Sequence, residues 1–159
     1  STRCTSSAAS DVYKRQPLGK PENLMPNIIK AVDSEESILK IFGSDHDTFD
    51  GTPIRDFIHV EDLINGHLLA LKFLKKSKKD VYEIFNLGNG EGLSVLELIK
   101  AFEDINDVKV SFEFSKKRDG DLPIYFSSAN KISKKLGWKP NLSVKDMCKS
   151  SWEFHKNNK

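Results

Sequence analysis

Apolar residues along this chain fall into short runs whose spacing changes from one segment to the next. After Pro26, a residue suited to a first helical turn, Ile28, Ile29, Ala31 and Val32 predict a helix over residues 23–32. Residues 38–42 read as a short strand closed by Gly43, and residues 44–53, which carry Asp, Gly, Thr and Pro without a period, read as a loop. Residues 57–60 read as a brief strand. Asp62 is placed to cap the next helix, residues 63–76, whose Ile64, Leu68, Leu71 and Leu74 form a stripe expected to be buried. The lysines between 72 and 79 suit a helix C-terminus, where they complement the dipole, and read as a solvated helix end.

Residues 82–87 give the clearest strand and lead into Gly88-Asn89-Gly90-Glu91-Gly92. Ser94 and Glu97 then make a capping box, opening a helix to about Asp104 with Leu98, Ile99 and Phe102 inward. Residues 108–114 alternate as a half-buried strand, and residues 116–123 form a charged loop containing Gly and Pro. A short helix over 129–136 stops at Gly137, and Ser143 with Asp146 opens a last helix carrying Met147, Trp152 and Phe154. Mixed strands and helices without a repeat make the fold class α/β (mixed α+β). Residues 1–16 are polar, small and aperiodic; they are expected to be a foreign, disordered leader, with residues 17–159 as the folded domain.

Composition narrows the function classes. The 159 residues are 38% hydrophobic and include ten Phe, three Tyr and two Trp, enough for a core. Twenty-five basic residues against 23 acidic ones net only +2, which argues against a nucleic-acid binder. No apolar run approaches the ~20 residues a membrane span needs. Cys4 and Cys148 are too few for a disulfide framework or a zinc cluster, and His46, His59 and His67 show no metal-ligand spacing. The picture is a domain of the reducing cytoplasm, with no membrane and no metal. Its first methionine is Met25, which reads as the mark of a truncation.

Two features carry candidate chemistry. Gly88-x-Gly90-x-Gly92 before a helix imitates a dinucleotide fingerprint, but the spacing differs from Gly-x-Gly-x-x-Gly, and Glu113 lies within its strand. A tight turn explains those glycines more simply. Arg55 and Arg118 lie in separate loops, and their planar guanidinium groups match phosphate oxygens, with Asp121 able to accept from a ribose diol. On spacing alone, an exposed Arg–Asp ion pair at each place is the simpler reading.

A resemblance changes that balance. Residues 17–26 (PLGKPENLMP), 41–45 (IFGSD), 50–63 (DGTPIRDFIHVEDL), 85–90 (FNLGNG) and 120–123 (GDLP) occur in order. Together they resemble the C-terminal part of the UDP-glucose 4-epimerases, in the extended short-chain dehydrogenase/reductase superfamily. The resemblance implies a C-terminal substrate-binding part of a Rossmann-type enzyme that interconverts UDP-glucose and UDP-galactose through a 4-keto sugar and bound NAD. It implies that Asn23 and Leu24 contact the nucleotide-sugar and that Lys40, Ile41 and Phe42 line the uracil pocket, largely through main-chain groups. Arg55 and Arg118 are implied to bind the diphosphate, Asp121 the ribose hydroxyls, and Tyr125 to border the sugar pocket and exclude N-acetylated sugars. It further implies a UDP-sugar partner and a homodimeric parent. The family's Gly-rich turn, Tyr-x-x-x-Lys pair and Asn-Pro segment are absent from this sequence, as is most of an NAD site. The expectation is therefore an inactive fragment that carries the UDP-sugar site, lacks the sheet its helices pack on, and folds weakly or aggregates in isolation. Another nucleotide-sugar epimerase or dehydratase, and a non-catalytic nucleotide-binding module, remain as rivals.

Overall fold

The computed structural model describes residues 23–34, 36–77 and 80–158. The expected leader therefore lies outside the described residues. Helix α1 (Leu24–Asp33) turns its Ile28 and Ala31 onto strand β1 (Leu39–Phe42), whose Leu39 and Ile41 point inward. Helix α3 (Val95–Asn106) adds Val95, Leu98, Ile99 and Phe102 to the same core. The Ser94–Glu97 capping box forms in both directions, and Asp107 ends the helix in the left-handed region at φ 52°. Helix α5 (Val144–Asn157), opened by the reciprocal Ser143–Asp146 box, closes the core with Cys148 and sets Trp152 edge-on to Phe102. Burial pushes the Cys148 thiol up to about 11, so it packs as an apolar group.

Two small sheets frame this core. β1 pairs in parallel with β4 (Phe112–Ser115), in the register Leu39 with Phe112 through Phe42 with Ser115. β2 (Ile54–Arg55) lies between β3 (Leu93–Ser94), antiparallel to it, and β5 (Ile124–Tyr125), parallel to it. The mixed α/β class expected from sequence is the one observed. The expected strand over 108–114 begins only at Phe112, because β1 offers no longer partner.

Helix α2 (Val60–Lys76) departs most from expectation. The expected strand over 57–60 does not form: residues 56–59 run without a ladder, and Val60 already belongs to the helix. Asp62 is not the cap. The His59 ring takes that role, accepting from the Glu61 N–H through Nδ1. Asp62 is instead buried, and its Oδ2 accepts from the N–H groups of Asn141 (3.0 Å) and Leu142 (2.9 Å) in the turn before α5. The stripe of Ile64, Leu68 and Leu71 has the right period, yet these residues are 51%, 48% and 48% exposed. The buried face carries Asp62 and Gly66. A Cβ on Gly66 would stand 2.5 Å from the Leu87 side chain, so its absence lets α2 lie against that segment.

Residues 82–87, the clearest strand by pattern, have no ladder either. Their alternation survives as burial: Phe85 and Leu87 turn inward, with Phe85 edge-on to Phe73 of α2, while Tyr82 and Ile84 stand in solvent. Helix α4 (Asn130–Leu136) ends at Gly137 with φ 72° and ties to this segment through Lys131 and Lys135, both paired with Glu83. Trp138 follows it into the core, donating from Nε1 to the Asp62 carbonyl at 3.0 Å.

Candidate functional site

The site begins with the backbone of β1. The Leu39 N–H donates to Ser111 and the Gly43 N–H to Ser115, each at 2.9 Å. Odd-numbered residues therefore face β4, and Lys40 and Phe42 aim their N–H and C=O groups at the other edge, which pairs with no strand among the described residues. That edge lines a cleft of about 820 Å³, to which every residue from Ser37 to Phe42 contributes. The Lys40 side chain leans instead across the sheet to Glu113, at 3.6 Å. The main chain is thus what Lys40 offers the cleft.

Charge enters from β2 and from the loop after β4. Arg118 lays its guanidinium over the Phe42 ring, 3.9 Å from the centroid. Arg55, in β2, donates from Nη1 to the carbonyls of Ile54 (2.9 Å) and Leu122 (2.8 Å), and from Nη2 to Asp121 Oδ1 at 3.1 Å. Ahead of β2, Asp50 accepts from Thr52 and from Ser94, the cap of α3, and so ties the loop before Arg55 to that helix. Burial alone raises the Asp50 carboxyl, but the hydrogen bonds from Ser94 and Thr52 outweigh it and hold the group below its ordinary value.

Of the residues expected at a site, Leu24, Lys40, Ile41, Phe42, Arg55, Arg118 and Asp121 all line this one cleft. Asn23 and Tyr125 are not in its wall. Asn23 precedes α1 and accepts from Asn27 Nδ2 through its carbonyl, while Tyr125 pairs with Arg55 in the sheet and is 64% exposed. Sequence reasoning passed over Asn27, Lys30, Ala31, Pro53, Phe57 and Val95, which also line the cleft. Helical spacing from Leu24 puts Asn27 and Ala31 on its face of α1, so that signal was available.

The glycine loop is occupied by protein. The N–H groups of Asn89 (2.8 Å) and Gly90 (3.3 Å) donate to the Asp56 carboxylate, and a Cβ on Gly88 would stand 2.1 Å from its Oδ2. Those amides are spent on a carboxylate, whose charge would repel a pyrophosphate. The loop does not fit NAD, in agreement with the turn reading. Among the described residues no three His, Cys, Asp or Glu side chains group to hold a metal, and no helix is long and apolar enough to cross a membrane.

A sequence profile of the NAD dependent epimerase/dehydratase family matches residues 2–88. The chain belongs to that family. A UDP-glucose 4-epimerase of Bacillus subtilis is 41% identical over 143 residues, covering 89% of this chain and 41% of that protein. The UDP-glucose 4-epimerase of Haemophilus influenzae is 39% identical over 150 residues, 94% of this chain and 44% of the relative. Among solved structures, the UDP-glucose 4-epimerase of Stenotrophomonas maltophila, with bound NAD and formylated UDP-arabinopyranose, superposes with a TM-score of 0.83 at 40% identity, over 91% of this chain and 42% of that one. The Bifidobacterium longum enzyme, in complex with NAD+ and UDP, gives 0.82 at 38% identity, over 89% and 42%. The chain thus spans about 40% of the length of these relatives.

Proposed function

We propose that residues 17–159 are the nucleotide-sugar-binding domain of a UDP-glucose 4-epimerase, interconverting UDP-glucose and UDP-galactose with NAD held by residues of the enzyme that this chain does not span. One observation carries the reading. The cleft brings two guanidinium groups, a carboxylate and the free edge of a strand to one surface. A diphosphate answers the guanidinium pair, a ribose diol answers Asp121, and a base edge answers the main-chain groups of Lys40 and Phe42. Leu24 lies in the same wall, with Asn23 beside it in sequence. Tyr125, outside the wall of the cleft, pairs with Arg55 across the β2–β5 ladder, and the family resemblance assigns it to the border of the sugar pocket. The likeness to the UDP-glucose 4-epimerases supports a homodimeric, cytoplasmic parent.

The chemistry of epimerisation needs a general acid/base and a hydride carrier, and no Tyr-x-x-x-Lys pair occurs in this sequence. The chain is accordingly a binder that does not turn over alone. Isothermal titration of the chain with UDP tests the reading: saturable binding, displaced by UDP-glucose, is expected, and no saturation at millimolar UDP refutes it. Interconversion of UDP-glucose and UDP-galactose by the purified chain with added NAD would overturn the assignment of catalysis to residues outside it.

A further inference from the structure

His46 falls between the motifs that carry the family likeness, yet it is only 4% exposed and sits at the end of the cleft-lining strand. Its ring is seated on Gly43, where a Cβ would stand 2.4 Å from Nε2 and where φ is +88°. Its main chain is pinned by a bond from its N–H to the Gly51 carbonyl (3.0 Å) and one from the Thr48 N–H to its own carbonyl (2.8 Å). Nε2 stands 3.4 Å from the Phe42 carbonyl. A carbonyl only accepts, so Nε2 carries a hydrogen, while Nδ1 is buried and has no hydrogen-bond partner among the described residues. A phenyl ring would fill the same volume without burying an unserved nitrogen. The donor at Nε2 is what the imidazole adds.

That donor changes what β1 presents. Along its free edge come the Lys40 N–H, the Lys40 C=O, the Phe42 N–H and the Phe42 C=O. His46 takes the last of these. What remains is an acceptor between two donors, the complement of the carbonyl–N–H–carbonyl edge of an imide base. The amino–nitrogen–carbonyl edge of cytosine does not match it. The same residue, Phe42, carries the Arg118 guanidinium on its ring, so holding its backbone also holds an anion-binding group.

We propose that His46 is a positioning residue of the nucleotide cleft: by donating to the Phe42 carbonyl it ends the free edge of β1 as donor–acceptor–donor, selecting an imide base such as uracil over cytosine, and it steadies Phe42 beneath Arg118. This rests on the nucleotide reading of the cleft. The test titrates UDP and CDP into the 159-residue chain and into His46→Gln and His46→Met, which match in length and differ in the donor. His46→Met is expected to weaken UDP roughly fivefold, the size of one neutral hydrogen bond, and to narrow the preference for UDP over CDP. His46→Gln is expected to recover most of both at an unchanged thermal midpoint. Equal UDP affinity and an equal UDP-to-CDP ratio in His46→Met and the wild type overturn the proposal. So does an affinity loss in both variants that only tracks a fall in midpoint. Should His46→Met not fold, His46→Phe replaces it with the same expected ratios. A wild-type chain that fails to saturate with UDP removes the nucleotide reading as well, whereas a binding wild type with indifferent variants removes only the role of His46.

Discussion

The two arginines of the cleft are built differently, and their alanine variants should therefore fail differently. Arg55 has both Nη1 hydrogens on main-chain carbonyls and one Nη2 hydrogen on Asp121, with side chains 26% and 27% exposed. Only Nε–H and one Nη2 hydrogen remain for a ligand. It is as much a brace between β2 and the 116–123 loop as a ligand group. Arg118 rests on the Phe42 ring and, among the described residues, has no ion pair, so its whole fork is available to phosphate.

Arg118→Ala removes a stacking contact of about 0.5–1 kcal/mol from the unliganded chain and, with UDP present, a bidentate phosphate contact of roughly 2–4 kcal/mol. The expected loss of UDP affinity is about 30- to 1000-fold, with the unfolding free energy nearly unchanged. Arg55→Ala deletes three hydrogen bonds and frees Asp121 to repel the diphosphate; its stability should fall by about 2–3 kcal/mol along with affinity. Urea unfolding followed by tryptophan fluorescence reads the first quantity and isothermal titration reads the second. Should Arg118→Ala destabilise the chain more than Arg55→Ala, or keep wild-type UDP affinity, this division of roles is refuted.

Asp62→Ala leaves the Asn141 and Leu142 amides without their acceptor and should cost about 3 kcal/mol in urea unfolding, while Asp62→Asn, which keeps one carbonyl oxygen, should cost about 1 kcal/mol; equal losses would argue against the amide contacts. Asp50 titrates below its ordinary value of 3.8 in the folded chain, so its contribution to stability is present above that pH and is lost as the pH falls through the depressed value. Asp50→Asn should accordingly flatten the acid limb of the stability-against-pH curve, and an unchanged limb counts against the Ser94 and Thr52 bonds as its cause. The uncovered Ile64, Leu68 and Leu71 should make the chain self-associate and bind a hydrophobic dye, and Ile64→Lys with Leu68→Lys should reduce both in sedimentation and fluorescence assays without lowering the thermal midpoint.

Chemistry that acts within a few residues was legible in the sequence. Both capping boxes close as the spacing of Ser94 with Glu97 and Ser143 with Asp146 requires, and Gly43 and Gly137 end their elements at positive φ. Pairing across long separations was not. β2 is two residues long and exists because Ile54 and Arg55 find partners in Leu93–Ser94 and Ile124–Tyr125, which no local pattern announces. The site shares that origin. Arg55 and Arg118 reach one cleft because β2 pairs with β5 and β1 with β4, and the ion pair that forms joins Arg55 to Asp121 rather than each arginine to its sequence neighbour. Residue type and family likeness singled out the groups; topology brought seven of them to one cleft.

The misjudged stripe of α2 and the unpaired segment 82–87 have a common cause. Each carries apolar side chains on two faces. On α2, Gly66 and Phe73 meet Leu87 and Phe85, while Ile64, Leu68 and Leu71 face away. On the segment, Phe85 and Leu87 turn to the helix, while Tyr82 and Ile84 face outward. A helix with two apolar faces beside an extended segment with two apolar faces is the composition of a buried layer, in which a parallel sheet is covered on both sides. The described residues supply one side of that layer only. Periodicity reports which faces are apolar, and it did so correctly for both elements. It cannot report which neighbour covers them, and here the two faces that the pattern marked most strongly have no cover among the described residues.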